Sequence, residues 1–153
     1  MASITPFLWF DSDLAEPVEY YRSIFGEVGS VDVPDGLGDG PAFTATIELC
    51  GQKLMLLNGG PENAGFTESQ SLFVSVDSQE QVDYLWDRLT ADGGEPGQCG
   101  WLKDRYGLSW QIVPEVLGSL LGAIDRAAAQ RATEAMLGMT KLDVAALQAA
   151  FDG

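Results

Sequence analysis

Hydrophobic and polar positions change rhythm in the same order twice between residues 4 and 114. Ile4 to Phe10 is apolar and aromatic and is closed by Asp11-Ser12-Asp13, which predicts a buried strand. Leu14, Val18, Tyr21 and Phe25 then recur at near-helical spacing, with Asp13 to cap the helix and Gly26 to end it. Pro17 falls near the first turn, where a missing N–H costs little. Val28 to Val33 predicts a short strand, and Phe43 to Leu49 alternates apolar residues with Thr44, Thr46 and Glu48. Cys50-Gly51-Gln52 turns the chain into a further strand, Lys53 to Asn58. Gly59 to Gln70 is polar, contains glycine and reads as a linker. The order then starts again. Ser71 to Val76 is a strand, and Ser78 with Gln81 forms a capping box. Val82, Leu85, Trp86 and Leu89 mark a helical face that Gly93-Gly94 stops. Two or three strands run on to Pro114 through a hairpin at Asp104-Arg105-Tyr106-Gly107, and Lys103-Asp104-Arg105 reads as a solvated turn.

The repetition is weakly visible in the residues themselves. Asp11-Ser12 matches Asp77-Ser78, Val18-Glu19-Tyr20 matches Val82-Asp83-Tyr84, and Gly51 to Leu57 matches Gly107 to Val113. Three matches in one order indicate an internal duplication. Residues 115–153 differ. Alanine and leucine dominate, short helices are expected, and Asp143 should cap the last, with Val144, Leu147 and Phe151 on one face. This segment reads as a helical extension that packs on a sheet or on a second subunit.

Composition narrows the function classes. The 153 residues suffice for one sizeable core. No stretch reaches the ~18 uninterrupted apolar residues of a membrane span, and the N-terminus lacks the features of a secretion signal, so a cytoplasmic location is expected. The net charge of −15 repels nucleic acid and anionic lipid, which makes both poor partners. Cys50 and Cys99 are expected to be free, semi-buried thiols. The chain has no histidine, which excludes a histidine base and a histidine-ligated metal.

The segments Pro6-Phe7-Leu8-Trp9-Phe10, Tyr21-Arg22-Ser23-Ile24-Phe25-Gly26 and the long aromatic run from Cys99 to Pro114 resemble the PhnB-like branch of the vicinal oxygen chelate superfamily, the superfamily of glyoxalase I, extradiol dioxygenases and bleomycin-resistance proteins. The tail around Ala135 to Asp143 fits a longer subset of that branch. The resemblance implies an α+β fold with two βαβββ modules, about 1–60 and 68–114, curling into a glyoxalase-like curved mixed sheet or half-barrel over residues 1–114. Residues 115–153 form the C-terminal helical extension. It also implies a homodimer and a concave pocket for a small-molecule ligand. Metal-using members place ligands on the first and last strand of each module. Strand alternation, carried from Leu72, Val74 and Val76 through the duplication, puts those positions on Thr5, Met55, Ser71 and Gln111, with Pro6 replacing Thr5 on a one-residue slip. A thioether, two neutral hydroxyls and one amide are a poor ligand set for the metals this fold uses, so no metal and no cofactor are expected.

Other candidates stand beside this frame. Asp35-Gly36-Leu37-Gly38-Asp39-Gly40 looks like a nucleotide-binding glycine loop, and sequences of this branch often carry the name 3-demethylubiquinone-9 3-methyltransferase. Such a loop must lead into a helix to present its N–H groups, whereas Pro41 and a strand follow here, so a turn is the better reading. Glu48 is a strand carboxylate that serves as a general base if it is buried in the pocket, and as a solvated edge residue if it is not. Trp9, Met55, Phe73 and Trp101 are the candidate apolar walls of a ligand pocket, with Thr5, Asn58, Ser71 and Gln111 as its polar groups, and plain core packing is the rival reading. The expected function is small-molecule binding in a metal-free pocket. The alternatives are a metal-independent enzyme using Glu48 and an interaction role for the helical tail.

Overall fold

A computed structural model describes residues 1–33, 42–63 and 65–153. The glycine loop at Asp35 to Gly40 therefore lies outside the described residues. The chain forms two compact units, Met1–Gly65 and Phe66–Gly153.

In the first unit, strand β1 (Phe7–Phe10) leads into helix α1 (Ala15–Phe25), followed by β2 (Val31–Asp32), β3 (Thr44–Leu49) and β4 (Gln52–Asn58). The sheet order is β1-β4-β3-β2, with β1 and β4 parallel and the other pairs antiparallel. Leu8, Phe10, Ala45, Ile47, Leu49, Leu54 and Leu56 form the buried side of the sheet, and Val18, Tyr20, Tyr21, Ile24 and Phe25 form the buried side of α1. Phe10 meets Tyr21 edge-on at 6.4 Å between ring centres. Tyr21, Ile24 and Phe25 of the Tyr21 to Gly26 motif are thus core residues. Asp13 caps α1 from one residue further out than usual, accepting a hydrogen bond from the Ala15 N–H at 3.1 Å.

The β3–β4 turn is a two-residue hairpin, because Leu49 and Gln52 are paired across it. Both of its residues have positive φ, 50° at Cys50 and 83° at Gly51, the combination that two-residue hairpins need. The equivalent hairpin of the second unit has Gly107 at φ 82°. The Gly51–Gly107 match in the duplication is therefore a shared requirement for a left-handed turn residue. Cys50 is exposed rather than semi-buried. Its sulfur nevertheless tucks toward Gly29, where an added Cβ would lie 2.5 Å from Sγ, and this local burial pushes the thiol pKa up.

The second unit repeats the topology. Strand β5 (Leu72–Val76) leads to helix α2 (Gln79–Thr90), then β6 (Glu95–Pro96), β7 (Trp101–Lys103) and β8 (Ser109–Pro114), in the order β5-β8-β7-β6 with β5 and β8 parallel. Val82, Leu85, Trp86 and Leu89 bury the inner face of α2. Ser78 caps this helix through the Gln81 N–H, while the Gln81 side chain reaches back to the Asp77 N–H.

The hairpin at residues 104–107 corrects the expectation of a solvated turn. Asp104 is 1% exposed. Its Oδ1 accepts from the backbone N–H groups of Tyr106 (2.9 Å) and Leu108 (3.1 Å), and its Oδ2 accepts from Trp110 Nε1 (2.8 Å). A buried carboxylate surrounded by donors is stabilised where an unpaired one would not be.

Helices α3 (Val116–Leu121), α4 (Arg126–Leu137) and α5 (Val144–Asp152) complete the unit. Asp125 and Asp143 cap the last two. Val113, Leu117, Leu120, Ala132, Leu142 and Leu147 share one core cluster. The segment between α4 and α5 is tied to the sheet and to α2. Met139 and Thr140 carbonyls accept from the Cys99 and Gly100 N–H groups, both at 2.8 Å. Gln79 donates to the Leu142 carbonyl and accepts from the Val144 N–H. Among the described residues no helix is long and apolar enough to cross a membrane.

Lys141 adds an ion pair to this junction, with Nζ 2.8 Å from Asp83 Oδ1. The hydrogen bond from Lys141, reinforced by one from Gln79, lowers the Asp83 pKa below its ordinary 3.8, and the same bond raises Lys141 above 10.5. The sign follows for each group. Asp83 contributes stability that is present above its unfolded pKa and is lost as pH falls through the lowered folded value. Lys141 contributes stability that is present below its unfolded pKa and is lost as pH rises through the raised one. Because the pair is partly exposed, its size is under about 1 kcal/mol. We expect Lys141→Met to lower the urea midpoint slightly at neutral pH and to be indistinguishable from the parent in strong acid. An unchanged difference at every pH would show that the lysine acts through its packing alone.

Candidate functional site

The open face of the second sheet carries two rows of side chains, because residues paired across neighbouring strands point the same way. Glu95, Lys103 and Ser109 are directly opposite one another across β6, β7 and β8. Trp101, Gln111 and Phe73 form the next row across β7, β8 and β5. A cavity of about 560 Å³ opens on this face, lined by both the polar row and Trp101, with Glu68, Gln98 and Cys99 at its edges. Its size is within the range of small-ligand pockets.

The electrostatics of the cavity centre on Lys103. Its Nζ lies 2.9 Å from Glu68 Oε1 and 3.9 Å from Glu95 Oε2. The hydrogen bond to Glu68, with the Glu68 charge behind it and a smaller contribution from Glu95, raises the Lys103 pKa. Both carboxylates are more than two-thirds exposed, so these pairs are screened and open to exchange with water or a ligand. Ser109 has the opposite character. It is 1% exposed, and its Oγ has no hydrogen-bond partner among the described residues. A buried hydroxyl usually has one.

The predicted site residues fall in several places. Trp101 lines the cavity. Gln111 and Phe73 share its row, and Ser71 accepts a 2.9 Å hydrogen bond from Gln111 Nε2. Phe73 is 60% exposed. In the first unit, Met55 lies between Phe7 and Thr46 on the open face of that sheet, and Thr5 precedes β1 with the same alternation. Trp9 is in the next row, opposite Leu57. Its indole N–H donates to the Gly60 carbonyl at 2.8 Å, and a Cβ on Gly59 would fall inside its ring, so Trp9 is packed onto the 59–60 backbone. Glu48 is half-buried and stands opposite Lys53. Asn58 does not reach this face. It pairs with Phe10, and alternation from Met55 and Leu57 puts it on the α1 side of the sheet.

The sequence reading put Lys103 in a solvated turn and did not single out Ser109, Glu95 or Glu68. The signal for two of them was present. Ser109 is two residues before Gln111, and Lys103 is two residues after Trp101, so strand alternation puts each on the same face as a residue the sequence reading named. Reading Lys103 as part of a solvated turn hid it for that residue. Glu68 and Glu95 are brought to Lys103 by a loop and a two-residue strand, which no periodicity marks.

The donor set of the superfamily's metal positions does not fit a divalent ion. Thr5 and Met55 offer a hydroxyl and a thioether, and the Ser71 hydroxyl and Gln111 amide are bonded to each other. Among the described residues no group of three or more Cys, Asp or Glu is placed to hold a metal.

Comparison with solved structures finds the same architecture repeatedly. The PhnB protein of Bacillus cereus, described as a 3-demethylubiquinone-9 3-methyltransferase, is 29% identical, with a TM-score of 0.60 over 74% of this chain and 99% of that one. Protein PA1353 of Pseudomonas aeruginosa is 22% identical, with a TM-score of 0.59 over 75% and 98% of the two chains. The fosfomycin resistance protein FosX of Listeria monocytogenes is 12% identical, with a TM-score of 0.52 over 82% and 97%, and supports the fold alone. No curated protein sequence matches the chain. The family model described as 3-demethylubiquinone-9 3-methyltransferase matches residues 2–113. With this match over most of its length and its duplicated βαβββ topology, the chain belongs to that family, that of the PhnB protein.

Proposed function

We propose that this protein binds a small organic molecule in a pocket that works without a metal, as a homodimer of the kind the family resemblance implies. The observation that carries the reading is the cavity of about 560 Å³ along β6–β8, where an aromatic wall at Trp101 meets an ammonium at Lys103 and, at Ser109, a buried hydroxyl without a partner among the described residues. An apolar body with a few placed polar groups is what such sites take. The absence of a competent donor set at Thr5, Met55, Ser71 and Gln111 supports the metal-free part.

The family's methyltransferase name finds no support in the local geometry. Among the described residues no glycine-rich turn leads from a strand into a helix, the arrangement such cofactor sites use. Glu48 stands opposite Lys53 across β3 and β4 and is not among the lining residues of the cavity that carries this reading.

A ligand-screening melt with small aromatic and aliphatic compounds tests the binding reading. A ligand at one hundred times its Kd stabilises the folded state by about 2.7 kcal/mol, which a melt resolves easily. If no compound in a broad panel raises the midpoint, the binding reading fails. Metal analysis after purification tests the other half. We expect no stoichiometric zinc, nickel, manganese or iron, and one tightly bound ion per chain would overturn the metal-free pocket.

A further inference from the structure

We propose that the cavity beside β7 takes a small organic carboxylate with an apolar body, and that Glu68 is a built-in competitor for its head-group position. This deepens the binding reading above and rests on it.

Lys103 and Ser109 are directly opposite each other on adjacent antiparallel strands, so their side chains are neighbours on the same face, with Cβ atoms roughly 5 Å apart. Both can donate. Ser109 is a lining residue of the cavity, and its hydroxyl is buried and unpartnered among the described residues, so it becomes available to a ligand through a small rotation of its side chain. Lys103 has three N–H donors, and the carboxylates near it engage at most two, one closely at 2.9 Å and one loosely at 3.9 Å. Two adjacent donors, one of them charged, form a receptor for an oxygen acceptor, and a carboxylate gains most because its bonds are charge-assisted. Trp101, in the next row on this face, offers an apolar surface for the rest of the molecule.

Glu68 shows that the position accepts a carboxylate. It comes from the stretch just before β5, sits in a turn, and is about 71% exposed, so it is held to the protein chiefly through Lys103. An entering carboxylate can replace it without leaving a buried charge unpaired, because Glu68 returns to water. Glu95 stays 3.9 Å away and keeps the ammonium charged and in place. A cationic ligand cannot take the acceptor position that Glu68 holds on the Lys103 ammonium, so it does not gain the charge-assisted bond open to a carboxylate. The overall charge of −15 slows the approach of any anion, so affinity should be modest at low salt.

The test uses three probes of one ring system, indole-3-acetate, indole-3-acetamide and tryptamine, titrated calorimetrically into the full chain. Indole-3-acetate should bind most tightly. Lys103→Met should weaken it by about tenfold or more, the scale of one charge-assisted bond. Ser109→Ala should weaken it by a smaller factor. Glu68→Gln should tighten it severalfold, a gain that a merely structural role for Glu68 would not produce. Glu68→Gln changes an exposed side chain and should leave the melting midpoint of the free protein nearly unchanged, so the key arm does not depend on a risky core substitution. Equal or tighter binding of the amide or the amine overturns the proposal, as does an unchanged or weakened carboxylate affinity in Glu68→Gln. Failure of all three probes also overturns it. In that case the pocket reading survives only if other, uncharged compounds bind in the melt.

Discussion

Leu142→Ala is expected to destabilise the second unit by about 2–5 kcal/mol, the range for removing a fully enclosed leucine. Leu142 is 0% exposed although it lies in no helix or strand. It packs with Val113, Leu117, Leu120, Ala132 and Leu147, and it lies so close to the sheet that a Cβ on Gly100 would approach its Cδ1 to 3.0 Å. The surrounding backbone is pinned at four points. Cys99 and Gly100 donate to Met139 and Thr140, and the Gln79 side chain holds both the Leu142 carbonyl and the Val144 N–H. With its backbone held, the site has little freedom to collapse into the cavity that the alanine leaves, which places the cost toward the upper part of the range. Urea unfolding should show a lower midpoint with an unchanged slope. Hydrogen exchange gives a second readout. The Cys99 and Gly100 amides should exchange faster in Leu142→Ala, because their acceptors belong to the loosened segment. Since Cys99 lines the cavity, the tail and the pocket edge should loosen together. A loss under about 1 kcal/mol with unchanged exchange would mean that the tail is an appendage and not part of this core.

Asp104→Ala is the second substitution with a large expected effect. It removes the acceptor for three donors at once, the N–H groups of Tyr106 and Leu108 and the indole of Trp110. Trp110 is 3% exposed and Leu108 is 4% exposed, so water does not replace the lost acceptor readily. Leaving buried donors unsatisfied costs about 1–3 kcal/mol for each group at its full value, and the hairpin can relax to recover part of this. A net loss of about 3 kcal/mol follows, near the cost of breaking a buried charged network. Asp104→Asn separates hydrogen bonding from shape. The amide keeps one acceptor oxygen for the two backbone N–H groups, but turns an NH2 toward Trp110 Nε1, so one donor meets another. It should lose less than alanine and should shift the near-ultraviolet circular dichroism of the tryptophan region. If both variants melt with the parent, the turn is held by its glycine and backbone bonds alone.

These two residues show what kind of information the chain carries openly. The strand–helix–strand order, the duplication and the apolar faces of α1 and α2 were legible because each repeats at the period of its secondary structure. The Ser78 and Asp143 caps need only a side chain and an N–H three residues away. Gly51 and Gly107 could be matched because both occupy the left-handed turn position of equivalent hairpins. Gln111 could be placed by alternation from the same strand logic. Asn58 was misplaced because it was grouped by polarity, against the alternation that puts Met55 and Leu57 on the other face. Asp104 was misread because a charged residue between a lysine and an arginine looks solvated, and only the folding of Leu108 and Trp110 over it makes it a core residue.

The sequence by itself determined the two modules, the PhnB-like family and the exclusion of histidine chemistry, because these depend on residue type, local period and order along the chain. Tertiary structure decided which side chains meet. It brought Glu68 and Glu95 to Lys103, left the Ser109 hydroxyl buried without a partner among the described residues, and tied Leu142 to Gly100 and Gln79. Each of those meetings joins segments separated by a turn or by dozens of residues. Their geometry is fixed by sheet register and core packing, and neither is written in any single stretch of the chain.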